Sequence, residues 1–182
     1  FPGTAPLRFA GFSFGAAIAT NLARRLAPRV THLCLVSPAG FPLRRFADRP
    51  TRSYREAGED EKLFREICRH NLLVNMLSDV ASITEETLDI QADCVRRTRF
   101  NSRKVSGGGT LLGDLAQLKC KIRLLWGVGD DSAFRPADLL IGEIRGVMTT
   151  ALDAHRIPRA GHWSAYENAP EANRLMLEFF SS

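Results

Sequence analysis

The stretch that most constrains the fold is Leu7–Asn21, which reads LRFAGFSFGAAIATN. An apolar run is followed by the pattern G-x-S-x-G at Gly11–Gly15, and then by small and apolar residues at helical spacing. The pattern is typical of a sharp turn between a strand and a helix that holds a strained serine, here Ser13, in the open. Because such a turn packs its own backbone closely, we expect that a Cβ at position 11 or at position 15 would clash. A chance match has an expected frequency of about 0.06 in a chain of this length, and the flanking strand and helix signals favour a real turn.

The order of apolar segments predicts an α/β fold. A strand, a helix and a strand in succession imply parallel strands joined by a right-handed crossover. We therefore expect a mostly parallel sheet with helices on both faces. The predicted strands are Leu7–Phe12, Val30–Val36, Ile122–Trp126 and Ala151–Ile157, and the predicted helices between and after them are Phe14–Leu26, Pro136–Val147 and Ala169–Phe180.

The central part of the chain differs in character and predicts a helical insertion. Residues 41–55 are rich in Arg and Pro and lack periodicity, whereas Glu59–Leu77 has the pattern of an amphipathic helix. Ser82–Glu85 matches the S-x-x-E capping box, which predicts a second helix that ends near Phe100. We expect the apolar face of that helix to include Leu88, Cys94 and Val95.

Three glycines at 107–109 end the insertion. No helix start with Lys-Ser/Thr follows them, so a hinge is favoured over a phosphate-binding loop. We therefore predict three parts: core residues 1–40, a helical cap at 41–113, and core residues 114–182. The cap is expected to move on hinges at 38–42 and 107–109.

Two later loops carry residues that could activate a serine. An exposed hydroxyl is a poor nucleophile until a base takes its proton, and that base must be oriented by a third group. Asp130 and Asp131 follow a predicted strand, where an acid could serve the site or simply form a turn. His162 lies in a loop after the last predicted strand, whereas the other histidines fall within strands or on the insertion. The order Ser, Asp, His is one of the known orders of a catalytic triad.

The composition argues against nucleic-acid binding and against a membrane-spanning protein. The chain has 182 residues, of which 45% are hydrophobic and 25% charged, as in an ordinary globular protein with one core. The net charge is +5, but the basic residues form no stripe interleaved with aromatics. We therefore expect a small-molecule substrate and no nucleic-acid partner. No apolar run approaches the roughly 18 residues of a membrane span, so no membrane partner is expected.

The four cysteines, Cys34, Cys68, Cys94 and Cys120, are widely spaced. They form no C-x-x-C pair and no cluster with histidine at the spacing of metal ligands. We therefore expect no metal and no cofactor, and free thiols in a reducing cytoplasm. A homo-oligomer stays possible.

With these residues identified, the chain resembles the α/β-hydrolases over essentially its whole length. Within that superfamily it is similar to the meta-cleavage-product hydrolases, which cleave C–C bonds, and to related esterases. The stretches that carry the resemblance are Gly11–Gly15, Ile83–Glu86, Trp126–Asp130, Gly161–Trp163, Tyr166–Glu167 and Asn173–Leu175. The superfamily resemblance is specific, and the resemblance to the C–C hydrolases is much weaker.

The resemblance implies a role for each candidate residue. Ser13 would attack a carbonyl, with His162 as general base and then acid. The W-G-x-x-D spacing of the family selects Asp130 over Asp131 as the orienting acid. The backbone N–H of Phe14 would hold part of the oxyanion. Phe12 and Trp163 would line the pocket, or simply pack.

One position departs from the family pattern. The C–C hydrolases present an arginine from the cap to the substrate carboxylate, and the corresponding position here is Gln91. A neutral amide cannot replace a charged bidentate fork. The sequence therefore favours hydrolysis of a small ester or lactone, with C–C bond hydrolysis of vinylogous 1,5-diketones as the alternative. A non-catalytic ligand-binding relative of the fold is a further alternative.

We also expect an N-terminally incomplete chain. The sequence begins at Phe1 without Met, a few residues before the nucleophile strand. The resemblance places several strands before that strand, together with a loop that gives a second oxyanion N–H. Residues 1–182 alone are accordingly expected to be poorly soluble and nearly inactive.

Overall fold

The computed structural model describes residues 3–42, 50–100, 108–130 and 136–182. Its described part contains one sheet of four parallel strands in the order β1-β2-β3-β4. The strands are β1 (Leu7–Phe12), β2 (Val30–Val36), β3 (Lys121–Gly127) and β4 (Leu152–Ile157). The helices are α1 (Phe14–Leu26), α2 (Glu61–Asn75), α3 (Glu85–Arg97), α4 (Leu111–Leu115), α5 (Ala137–Val147), α6 (Ser164–Glu167) and α7 (Ala169–Phe180). The expected α/β class is confirmed.

Helices cover both faces of the sheet, and successive side chains of a strand point to opposite faces. On β2, Leu33 and Leu35 pack with α1, α4 and α5, whereas Cys34 and Val36 pack with α7. All four are at most 4% exposed. The nearly continuous apolar character of β2 thus reflects burial on both faces.

The insertion has a small core of its own, made by α2 and α3. Its buried residues are Cys68, Leu72, Leu77, Ile83, Leu88 and Ala92. The described ends of the insertion lie side by side, since Pro42 pairs with Gly108 in an isolated antiparallel bridge. Gly109 has a φ of +67°, and a Cβ there would lie 3.1 Å from Cγ of Pro42. The division into core and cap, and the motion of the cap, stay predictions, and Gly107 of the expected hinge lies outside the described residues.

Two local predictions in the insertion were wrong, and one helix at its end was not predicted. The cap of α3 is Thr84, which exchanges side-chain and backbone hydrogen bonds with Thr87, whereas Ser82 ends a short 3₁₀ turn. Cys94 is exposed, because α3 turns Leu88 and Ala92 toward α2 instead. Leu111–Leu115 forms a helix that no pattern predicted, with Leu111 and Leu115 in the main core.

No helix in the described ranges combines the length and the apolar character that crossing a membrane requires.

Candidate active site

The turn between β1 and α1 places Ser13 at the carboxyl edge of the sheet. Ser13 has φ 49° and ψ −118°, a conformation that is strained for a residue with a Cβ. Its N–H donates to the carbonyl of Val36 at 2.9 Å, and its carbonyl accepts from the N–H of Ala39 at 3.0 Å. These hydrogen bonds hold the strained turn against the end of β2.

The two glycines of the turn have different surroundings. A Cβ on Gly11 would lie 2.5 Å from the carbonyl oxygen of Gly15 and 2.7 Å from Cα of Ala16, so the strand and the helix would have to move apart to admit it. A Cβ on Gly15 would meet nothing within 4 Å. The expectation that both positions exclude a side chain is therefore right for Gly11 and wrong for Gly15.

Asp130 ends the turn that follows β3. The turn is held against the next loop, because the N–H of Val128 donates to Ile157 at 2.9 Å and that of Gly129 donates to Ala160 at 2.8 Å. The side chain of Asp130 is 3% exposed. Asp131, the alternative acid, lies outside the described residues.

His162 lies between these two groups in the loop after β4. Its Nδ1 is 3.0 Å from Oδ2 of Asp130, and its Nε2 is 2.9 Å from Oγ of Ser13. Since a carboxylate only accepts, Nδ1–H donates to Asp130, and Nε2 is left to accept from the Ser13 hydroxyl. The structure thus brings Ser13, His162 and Asp130 into one hydrogen-bonded chain.

The predicted oxyanion and pocket residues surround this chain in different ways. Phe14 is the first residue of α1, and the first N–H groups of a helix have no acceptor within it. The ring of Phe12 lies 5.0 Å from that of His162 and is 39% exposed. Trp163 packs against the core of the insertion. Their contact with a substrate stays a prediction.

Gln91 lies in the insertion, where its side-chain amide donates to the Tyr54 hydroxyl at 3.0 Å. Tyr54 also lines an open cavity of about 850 Å³ in the insertion. Phe100 lines the same cavity and stacks on Phe14, the residue after Ser13, with ring centroids 5.8 Å apart. Arg52, Arg55 and Arg99 are among its lining residues.

Sequence reasoning missed one cavity in the insertion and the contacts of one carboxylate. The cavity of the insertion joins residues 51–55 with residues 98–100, which are remote in sequence and carry no motif. Glu167, noted only as part of a family stretch, has its carboxylate bound to backbone N–H groups of two separate loops. In the sequence, only the position of Glu167 shortly after the Gly161–Trp163 segment could have indicated a role near His162.

Comparisons with known proteins show which proteins the chain is similar to. No protein-family model matches the chain. Over 180 residues it is 28% identical to a 2-hydroxy-6-oxo-6-phenylhexa-2,4-dienoate hydrolase of Comamonas testosteroni, a match that covers 93% of this chain and 60% of the relative. Identity is also 28% to a 2-hydroxy-6-oxononadienedioate/2-hydroxy-6-oxononatrienedioate hydrolase of the same organism, over 94% of this chain and 62% of the relative.

A solved structure gives the same result for the fold. The meta-cleavage product hydrolase from Pseudomonas fluorescens IP01 superimposes with a TM-score of 0.70 at 21% identity, over 98% of this chain and 65% of that one. The chain thus spans about 60% of the length of the curated relatives that it matches. The fold of the chain is that of the C-terminal part of an α/β-hydrolase, and meta-cleavage-product hydrolases are among the proteins that it resembles in sequence.

Proposed function

We propose that the protein is a serine hydrolase that forms an acyl-enzyme on Ser13. The observation that carries the proposal is the chain of two hydrogen bonds, 2.9 Å from Ser13 Oγ to His162 Nε2 and 3.0 Å from His162 Nδ1 to Asp130. A nucleophile, its base and an orienting acid at these distances are the arrangement that activates a hydroxyl. A purely ligand-binding relative would have no need of it.

The proposed reaction begins when Ser13 Oγ attacks a carbonyl carbon as its proton passes to Nε2 of His162. The carbonyl oxygen becomes an oxyanion, which accepts from the N–H of Phe14 at the positive end of α1. The imidazolium, stabilised by Asp130, then donates its Nε2 proton to the leaving group, and the bond to that group breaks. Water, deprotonated by His162, releases the acyl group and restores Ser13.

A neutral ester or lactone is the substrate class that Gln91 favours. The amide of Gln91 donates to Tyr54, and it has no charge with which to hold a substrate carboxylate. The leaving group in this reading is an alkoxide, which the His162 proton neutralises directly. Hydrolysis and acyl transfer to another acceptor share every step up to the acyl-enzyme.

C–C bond hydrolysis is the second candidate, and two observations favour it. The relatives at 28% identity are named for dienoate and dienedioate substrates, which carry carboxylates. The cavity of the insertion presents three arginines, Arg52, Arg55 and Arg99, which could hold such a group although position 91 is neutral. In this reaction the proton would pass to a carbon leaving group.

Labelling with a fluorophosphonate tests the nucleophile, and a substrate pair tests the reaction. We expect the probe to modify Ser13, and Ser13→Ala to abolish labelling and to lower turnover by about 10⁴–10⁶. Full labelling of Ser13→Ala would refute the assignment. Release of p-nitrophenol from short acyl esters should exceed cleavage of a 2-hydroxy-6-oxo-dienoate, and the reverse order would select the C–C reading.

A further inference from the structure

The turn that follows α2, residues 76–79, packs against both loops that carry the triad partners of Ser13; we call it the brace turn. On one side, the N–H of Trp163 donates to the carbonyl of Met76 at 2.9 Å. A Cβ on Gly161 would lie 2.9 Å from the N atom of Ser78, so only a glycine lets the turn approach this closely. On the other side, a Cβ on Gly129 would lie 2.7 Å from Cβ of Ser78.

One carboxylate joins the brace turn to the loop that carries His162, which we call the histidine loop. Oε1 of Glu167 accepts from the N–H of Ser78 at 2.8 Å, from the hydroxyl of Ser78 at 3.2 Å and from the N–H of Asp79 at 3.1 Å. Its other oxygen, Oε2, accepts from the N–H of Gly161, the residue before His162. Each oxygen therefore serves a different loop.

We propose that Glu167 is a positioning residue that holds His162 between Ser13 and Asp130 by binding the histidine loop to the brace turn. The inference rests on the proposed catalytic role of His162. Glu167 itself touches none of the three reacting side chains in any described hydrogen bond, and it acts through the N–H of Gly161. The contact of the insertion with the core and the position of the His162 ring then depend on the same carboxylate, so a change in one should change the other.

The chemistry of the bridge requires a carboxylate. All its partners are donors, and a carboxylate has two oxygens that accept. A glutamine of the same shape has one oxygen, so its NH₂ group would face either the N–H of Gly161 or the N–H groups of the brace turn. Glu167→Gln thus removes one half of the bridge while preserving the volume of the side chain. Glu167→Asp keeps both oxygens but is one methylene too short to span the same two loops.

The test compares Glu167→Gln with the matched control Glu171→Gln. Glu171 is also a helical glutamate, four residues further along the chain, but it pairs with exposed Arg174 at 2.7 Å, and none of its described side-chain hydrogen bonds reaches either loop. Three quantities are measured on the folded protein: amide hydrogen exchange at Ser78, Asp79 and Gly161, the NMR signal of the His162 Nδ1 proton, and kcat and KM for the best ester.

In Glu167→Gln we expect exchange at the Gly161 amide and at the brace-turn amides to accelerate together by about tenfold or more, as for the loss of a hydrogen bond to a charged group. The Nδ1 proton signal should broaden or vanish, and kcat should fall by about tenfold or more with a smaller change in KM. Glu171→Gln should leave all three unchanged. Should Glu167→Gln fail to fold, Glu167→Asp is measured in its place with the same expectations.

Several outcomes would overturn the proposal. Exchange that accelerates at only one of the two loops would show that they are not coupled through Glu167. An unchanged Nδ1 signal with lowered thermal stability would show a merely structural role. The exchange and NMR measurements need no turnover, so the absence of hydrolysis in the wild-type protein would count against the proposed function and would leave the bridge itself still measurable.

Discussion

Substituting the two glycines of the Ser13 turn by alanine, one at a time, should give opposite results. In Gly11→Ala the new Cβ would lie 2.5 Å from the carbonyl oxygen of Gly15 and 2.8 Å from the N atom of Ala16. Contacts to Cβ below 3.0 Å essentially never occur in real proteins. Because both neighbours are backbone atoms in a packed interior, β1 and α1 must move apart by about half an ångström or more.

The expected size of the effect follows from that displacement. Overpacking of this kind costs about 1–3 kcal/mol of unfolding free energy. A shift of the nucleophile by a fraction of an ångström, out of line with His162, should lower the reactivity of Ser13 by up to about 10²-fold. In Gly15→Ala the methyl group enters open space in the first turn of α1. Since glycine within a helix is worse than alanine by about 0.5–1 kcal/mol, this variant should be as stable as the wild type or slightly more stable.

Urea unfolding and the rate of fluorophosphonate labelling measure the two effects separately. Labelling reports on the geometry of Ser13 and His162 and requires no knowledge of the substrate. If Gly15→Ala is destabilised as much as Gly11→Ala, or if Gly11→Ala unfolds and labels like the wild type, the close approach of β1 and α1 does not exist and the reasoning is refuted.

Three further predictions address the site and the thiols. Asp130→Asn should keep its fold, as judged by urea unfolding, but lose about 10⁴ in turnover, because an amide favours the wrong imidazole tautomer; a small loss would exclude Asp130 as the orienting acid. Gln91→Arg should improve turnover of substrates with a free carboxylate relative to neutral esters, and an unchanged ratio would show that position 91 does not face the substrate. Burial raises the pKa of Cys34 from 9.0 to about 12, so a thiol reagent should modify exposed Cys94 in the folded protein and Cys34 only after unfolding. The same shift makes the contribution of Cys34 to stability fall as the pH rises from 9.0 toward 12, because the unfolded thiol ionises first.

The elements that position the site could be predicted because their signals are local. The bounds of β1, α1 and β2 agree with the sequence prediction residue for residue, since apolar spacing over six or more positions determines which face is buried. Asp130, Asp131 and His162 became candidates from their places after strands, because parallel strands deliver their following loops to one edge of the sheet. The choice of Asp130 over Asp131 came from the family spacing alone.

What could not be predicted depends on contacts between remote segments. Thr84 caps α3 in place of Ser82, and the hydroxyl of Thr87 also donates to the Ser82 carbonyl, so the helix begins two residues later than the S-x-x-E pattern suggests. The partners of Glu167 are 6 to 89 residues away in sequence. No pattern of spacing contains this information, because the two loops are brought together by the packing of the insertion.

The geometry of the site depends on β2 although that strand carries no triad residue. A row of hydrogen bonds crosses the carboxyl ends of the four strands: the N–H of Ser13 donates to Val36, that of Ser37 to Leu125, and that of Val128 to Ile157, each at 2.9 Å. Ser37 repeats the strain of Ser13, with a φ of 41°, and is fully buried. Left-handed backbone at a non-glycine residue costs about 1–3 kcal/mol and persists only where its surroundings over-determine it. The row supplies that support, because each strained N–H has an acceptor on the neighbouring strand or turn. The distance from Ser13 to His162 is therefore set across the whole sheet, and a change that weakens the end of β2 should affect the reactivity of Ser13 before it affects the stability of the fold.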